Sequence, residues 1–351
     1  MGLYFYFFHP DEYNRMYNCS FYSVEDLPIE RRRHVIYAII VLALFVIYEI
    51  LYLPCIYAMF NKHVRQSFCY KLMIEMALYD MITLPLTALL PGIFSFNGWM
   101  FCSHPTITYM GGTIIFPMWI GYSLCSLILS INRCLSMSRY KVIFEGPTRE
   151  MFWVLLPPFV TFVVLMFGQS ITYNSMLGAW FFNPHLGYYE DLNGSYPSDI
   201  QFYNNITFCV VLPVVYVLFF LNNYALSRKR VSGMSGKEYR VSCCWKNNLI
   251  NNLLKLFIQT LIINFTIAGA AAGYMLMQYL SLPEYFIAFS HVGWIIVEGA
   301  PPVIYLTMNE TIRKIVFGRK RTHTQQRSSS VQNINSSTVP HSKINDSSVV
   351  H

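Results

Sequence analysis

The sequence predicts an all-α membrane protein, a bundle of seven transmembrane helices, on three observations. Seven apolar stretches lie between the basic triplet Arg31-Arg32-Arg33 and Phe317, each about as long as a helix needs to cross a hydrocarbon core of roughly 30 Å. Hydrophobic residues make up 54% of the chain and charged residues only 12%, with a mean hydropathy of +0.38, where an ordinary soluble domain is about one-quarter charged. The basic residues fall in alternate connections, as a chain threaded back and forth through a bilayer requires.

Without water to satisfy its peptide groups, each stretch must hydrogen-bond internally as a helix, and an odd number of crossings puts the two termini on opposite faces. The spans are expected at 35–60, 68–92, 109–131, 151–182, 205–226, 249–280 and 285–308. Residues 1–34 then form an outer amino-terminal segment and 35–308 the bundle. Residues 309–318 form a short amphipathic eighth helix, and the Ser-rich stretch 319–351, which has few apolar residues to bury, forms a disordered inner tail. No cleavable leader is expected, since Met1 to Phe8 lacks a basic start and a small-residue cleavage site.

Of the 25 Lys and Arg residues, all but Arg15, Arg31, Arg32 and Arg33 fall in the connections after spans 1, 3 and 5, in the adjoining ends of spans 2 and 6, or beyond span 7. Cells retain such residues on the cytoplasmic side, so the amino terminus is expected outside and the carboxyl terminus inside. Arg31 to Arg33 dissent, because they abut span 1 on the outer side. The sequons at Asn18, Asn193 and Asn205 fall outside in this topology and are the candidate glycosylation sites. The net charge of +7 lines a membrane face rather than a nucleic-acid surface.

The nine cysteines lack the close paired spacing of a metal site, so no metal is expected. Cys102, just before span 3, would staple that helix to an outer segment. Cys209 and Cys19 are both candidate partners, and the pair Cys102–Cys209 is preferred.

Span 3 ends in Ser130-Ile131-Asn132-Arg133-Cys134. Span 7 carries Pro301-Pro302-Val303-Ile304-Tyr305, and beyond Asn309 the apolar Ile312, Ile315, Val316 and Phe317 alternate with Arg313 and Lys314, the pattern of a helix lying on a membrane surface. Together these resemble the rhodopsin-like G-protein-coupled receptors, in which an Asp-Arg-Tyr motif closes the third helix and an Asn-Pro-x-x-Tyr run ends the seventh before a membrane-parallel eighth. The resemblance gives Asn132, Arg133, Pro302 and Tyr305 roles in activation and G-protein coupling. Asn132 stands where that family has an acid and Pro301 where it has asparagine. Span 6 offers Gly269-Ala270-Ala271-Ala272-Gly273 instead of a Cys-Trp-x-Pro hinge. With Glu49-Ile50-Leu51-Tyr52-Leu53-Pro54-Cys55, Phe68-Cys69-Tyr70-Lys71-Leu72-Met73 and Trp99 before Cys102, these departures look like the nematode serpentine receptor class T chemoreceptors, over residues 48–317. Membership implies a rhodopsin-like bundle in the plasma membrane, a small-molecule ligand and a heterotrimeric G-protein partner.

An ionised side chain near the bilayer centre costs at least about 2.5–3.5 kcal/mol, so Glu49, Asp80 and Glu298 are expected to face the interior. Asp80 and Glu298 are expected to share a proton, because adjacent like charges keep one acid neutral, or, on the rhodopsin-like resemblance, a sodium ion. Hydrogen bonding between helices is the alternative, and no other cofactor is expected. Lys71 is expected to pair with Glu75 one turn along its helix. A ligand site belongs in the outer half of the bundle, where Tyr109, Phe116, Trp119, Tyr274, Gln278, His291 and Trp294 are the candidate lining residues. A multi-pass transporter or ion channel is the competing function, disfavoured by the odd helix count and the absence of repeats. No motif for catalysis is present.

Overall fold

The computed structural model describes residues 2–20, 22–135, 142–187, 196, 198–217, 258, 261–277, 280 and 282–318. The helices are α1 (Leu3–Phe8), α2 (Pro10–Met16), α3 (Ile29–Arg32), α4 (Val35–Met59), α5 (Phe68–Leu84), α6 (Leu90–Asn97), α7 (Pro105–Leu135), α8 (Pro147–Phe167), α9 (Asp199–Ile206), α10 (Leu261–Met277), α11 (Glu284–Met308) and α12 (Glu310–Val316). A hairpin of β1 (Thr172–Asn174) and β2 (Ala179–Phe181) sits between α8 and α9. Among the described residues, six helical stretches are long and apolar enough to cross a membrane: Ile29–Met59, Phe68–Asn97, Pro105–Arg133, Pro147–Phe167, Asp199–Val217 and Glu284–Met308. α10 is a shorter apolar helix and supplies the seventh element of the bundle.

The bundle is apolar on the outside and polar within. Ile36, Ile39, Val46, Ile47, Ile50 and Leu53 of α4 are exposed, whereas Asp80, Thr83, Thr87, Ser126, Ser130 and Asn264 are buried. α7 is the central pillar, with 67% of its apolar window buried against 17% for α4 and for α8. Small residues let its neighbours close in: a side chain at Gly112 would overlap the carbonyl of Ile171, and one at Gly121 would overlap the Thr161 hydroxyl. Pro85 cannot donate to the helix ladder, and the chain passes it through a π-helical turn, Pro85–Leu89, that joins α5 to α6.

The long fourth apolar run, expected as one helix over 151–182, ends as a helix at Phe167. Beyond Gly168 the chain turns back as the hairpin, with Tyr173 opposite Trp180. Thr172, Tyr173, Asn174, Ala179 and Trp180 are all buried, so the stretch reads as apolar although it is strand, a distinction that periodicity cannot draw. The Asn174 side chain accepts from Met176 N–H at 3.0 Å and Leu177 N–H at 3.3 Å, which closes the turn. The hairpin is pinned by Ser170 to the Tyr109 carbonyl at 2.9 Å, by Tyr173 to the Ser95 hydroxyl at 2.7 Å and by Ser175 to the Trp99 carbonyl. It plugs one end of the bundle, here termed the hairpin end; the other is the Arg133 end.

Cys102 is bonded to Cys19, 83 positions away in sequence, with Cα atoms 5.6 Å apart, which corrects the expected pair Cys102–Cys209. Cys102 sits at the hairpin-end rim, just before α7. Cys209 lies in the π-helical turn Thr207–Val211 after α9, about 15 Å down a helix that begins at Asp199, and its thiol faces the Ala268 carbonyl at 3.6 Å. The disulfide ties α1 and α2 to the hairpin end, where Tyr6, Tyr13 and Tyr17 surround Tyr109 with centroids 4.9–5.6 Å away. Burial pushes the Tyr13 hydroxyl up to about 12, so this cluster stays neutral.

The dissenting basic triplet has a local explanation. Arg32 donates to the Gly98 carbonyl at 2.7 Å and Arg33 to the Phe96 carbonyl at 2.9 Å, so both guanidinium groups neutralise the carboxyl end of α6. Of the sequons, Asn18 is half-buried beside Cys19, and Asn193 lies outside the described residues. Asn205 is buried on the last turn of α9, where the folded bundle leaves no room for a bulky glycan, so its expected glycosylation is corrected. The seven-residue α12 follows at the Arg133 end, and residues 319–351 lie outside the described residues.

Peptide mapping without reduction is expected to yield a Cys19–Cys102 cross-linked pair and an alkylated Cys209. A Cys102–Cys209 peptide would contradict the placement of α1 and α2.

Candidate functional site

Toward the hairpin end, α7, α9, α10, α11 and the hairpin enclose a cavity of about 20 Å³ lined by Phe116, Trp119, Ile171, Trp180, Gln201, Asn205, Ala270, Ala271, Tyr274 and Trp294. The space exceeds the roughly 10–15 Å³ that a single water needs, so it suits only a compact guest. Aromatic rings hold its shape: Trp294 meets Trp119 edge-on at 5.6 Å and Tyr274 at 5.1 Å. Ala270 and Ala271 supply the space, as the small-residue run in α10 allows. A wider cleft of about 340 Å³, within the roughly 300–1,000 Å³ of small-molecule sites, shares Trp180, Gln201 and Tyr274 with the cavity and extends past Phe182, Asn183, Tyr196 and Asp199.

Four of the expected ligand residues, Phe116, Trp119, Tyr274 and Trp294, meet in this cavity. Two do not. Tyr109 is buried in the amino-terminal tyrosine cluster, because the disulfide brings α1 and α2 onto it. His291 is fully buried behind the cavity wall, with Nδ1 2.5 Å from the Tyr37 hydroxyl. That hydroxyl also lies 2.8 Å from the Gly178 carbonyl, and a tautomer with the proton on Nδ1 satisfies both contacts. His291 thus fastens the hairpin turn to α4 and α11. Gln278 lies outside the described residues. Trp180 and Asn205 were hidden from sequence reasoning, the one by its place in an apparent transmembrane run and the other by its sequon.

Midway through the bundle, Asp80 and Glu298 come together as expected. Tyr52 on α4 bridges them, its hydroxyl 2.5 Å from Asp80 Oδ2 and 2.7 Å from the Glu298 carbonyl. Glu298 Oε2 accepts from the Thr87 hydroxyl at 2.5 Å. Every donor atom here is oxygen, a set suited to a hard cation. Glu49 stands apart, half-buried on α4 with Oε1 unpartnered. No group of three or more His, Cys, Asp or Glu side chains suited to a metal occurs among the described residues.

Closer to the Arg133 end, Asn264 of α10 ties three helices. Its Oδ1 accepts from Ser126 at 2.6 Å, and its Nδ2 contacts the hydroxyls of Ser130 and Tyr216, each at 2.7 Å. Asn132 accepts from the Cys69 thiol at 3.0 Å, and Arg133 lies within electrostatic reach of Cys69 and Tyr305. Lys71 pairs with Glu150 of α8 at 2.9 Å rather than with Glu75, which instead accepts from the Cys125 thiol at 3.3 Å. Pro302 accepts from the Cys55 thiol at 3.7 Å, and Tyr305 is buried beneath Asn309. Asn309 caps α12 through Thr311 and Ile312 N–H and receives the Tyr70 hydroxyl at 3.1 Å.

This arrangement, a rim-plugged aromatic cavity above an acidic core and an Arg-centred end, is matched in sequence. The profile of the serpentine type 7TM GPCR chemoreceptor Srt family covers residues 1–329. The chain belongs to the Srt family. Among its relatives, serpentine receptor class T-55 of Caenorhabditis elegans is 20% identical over 246 residues, 70% of this chain. The match spans 63% of that relative's length. The Srt chain is therefore a seven-transmembrane bundle of the chemoreceptor type. In it the departures from the rhodopsin-like pattern have structural partners: Asn132 takes a thiol, and Lys71–Glu150 joins α5 to α8.

Tyr52→Phe in the Srt chain removes the bridge and leaves the buried Asp80 carboxyl and Glu298 carbonyl without their shared hydroxyl partner. A loss of about 1–3 kcal/mol is expected, read as a lower thermal midpoint in detergent; an unchanged midpoint would show that the bridge contributes nothing.

Proposed function

We propose that the chain is a chemosensory receptor of the plasma membrane that binds a small molecule in the aromatic cavity and activates a heterotrimeric G protein at the Arg133 end. The hairpin end faces outward and α12 lies along the inner leaflet, an orientation supported by the basic connections on the Arg133 side. The cavity is the observation that carries this reading: it is closed by rings from three spanning helices and the hairpin, and the wider cleft gives a route in.

Transmission follows from the Asn264 clamp. A hydrogen bond between membrane helices is worth on average about 0.6 kcal/mol, so its three contacts sum to roughly 2 kcal/mol. That matches the few kcal/mol that keep an active state at about 0.1–10% of the population. A ligand that pulls α10 toward the cavity breaks the clamp, parts the inner ends of the helices and exposes Arg133. Asp80 and Glu298 would hold a proton or sodium ion in the resting bundle.

Arg133→Ala is expected to reach the cell surface at native levels and to lose at least about tenfold in G-protein activation. Full coupling by that variant would remove the proposed role of Arg133. Cation currents in expressing oocytes, with no nucleotide exchange, would favour a channel instead.

A further inference from the structure

The cavity's chemistry selects a ligand class, an inference that rests on the receptor reading above. Among the described residues, its lining carries no Asp, Glu, Lys, Arg or His. An ion brought there would give up its hydration with no countercharge, which is prohibitive in a low-dielectric site. Aromatic and alanine side chains make up most of the wall. The exception is Asn205, which is 1% exposed and has neither Nδ2 nor Oδ1 hydrogen-bonded. A buried carboxamide with both ends unpaired is rare and needs an explanation. Two further lining residues, Trp180 and Trp294, have indole N–H groups that are buried and unpartnered. The Tyr274 hydroxyl, also buried and unpartnered, can donate or accept, so donors outnumber acceptors: the Asn205 amide nitrogen, two indoles and this hydroxyl face the amide oxygen and the hydroxyl oxygen.

We propose that the cavity binds a neutral, compact, largely apolar molecule that carries a hydrogen-bond acceptor such as a ketone, ester or lactone carbonyl, anchored by the Asn205 side chain. Amines and carboxylates are excluded by the missing countercharge. Hydrocarbons of the same shape enter but leave the amide unpaired. The rings select a flat ligand face, and the amide selects where its oxygen lies.

The test uses the purified full-length chain in lipid nanodiscs, with thermal stabilisation as the readout, so it does not depend on G-protein coupling. The probes are acetophenone, its apolar analogue ethylbenzene, benzylammonium and benzoate. Acetophenone is expected to bind about tenfold more tightly than ethylbenzene, the worth of one desolvated hydrogen bond. The two ions are expected not to stabilise the chain. Asn205→Leu is expected to abolish the preference for acetophenone while keeping ethylbenzene. Asn205→Asp, which places a carboxylate in the wall, is expected to admit benzylammonium. Should Asn205→Leu fail to fold, Trp294→Phe and Asn205→Asp carry the comparison: the first keeps an aromatic ring while removing a donor and some ring volume, and the second keeps the shape while changing the charge. Equal binding of acetophenone and ethylbenzene by the native chain, or stronger binding of either ion, would overturn the proposal. Stabilisation by none of the probes would overturn the ligand class while leaving Arg133-dependent coupling untouched.

Discussion

A polar group in the interior of a bilayer has no water to fall back on, and the architecture of this chain follows from that constraint. Its helices present isoleucine, leucine, valine and phenylalanine to lipid and turn their serines, threonines, asparagines and acids toward α7. Because lipid is as apolar as the side chains, helix association draws little from burial and depends on close packing and on those internal hydrogen bonds. The glycines of α7 admit the hairpin and α8, and the polar layers do the rest. Tyr52, Asp80, Thr87 and Glu298 form one layer, and Ser126, Ser130, Tyr216 and Asn264 form another nearer Arg133.

α11 runs past these layers in turn. His291 secures the hairpin, Trp294 one turn on lines the cavity, Glu298 joins the acidic core, and Tyr305 lies beside Arg133. Residues three, four and seven apart share one helix face, so one face of α11 carries all four contacts. The amino-terminal segment, held by Cys19–Cys102, and the hairpin close the rim at the hairpin end, so that the cavity opens through a defined cleft rather than directly to solvent.

Much of this was legible in the sequence, and the failures share a cause. Span positions, the convergence of Asp80 and Glu298, and four cavity aromatics follow from hydropathy and helical spacing. The hairpin was missed because a strand buried on both faces and a membrane helix are both unbroken apolar runs. Cys209 was preferred over Cys19 because linear sequence does not reveal that α9 begins at Asp199 and carries Cys209 below the rim. Asn205 matched a glycosylation pattern that is blind to burial. Tyr109 and His291 are polar-tipped residues at the correct depth, but each is claimed by a distant segment, the amino terminus in one case and Tyr37 in the other. Long-range partners of this kind are the information that periodicity lacks.

The account stands or falls on the polar layer at Asn264 being the restraint on α10. Pulsed electron-spin distance measurement between labels at Leu135 and Ile258, in the native chain and in Asn264→Leu, tests it most directly. A single short distance in the native chain that becomes longer and broader in the variant is the result expected. Identical distributions, with both proteins folded, would contradict it.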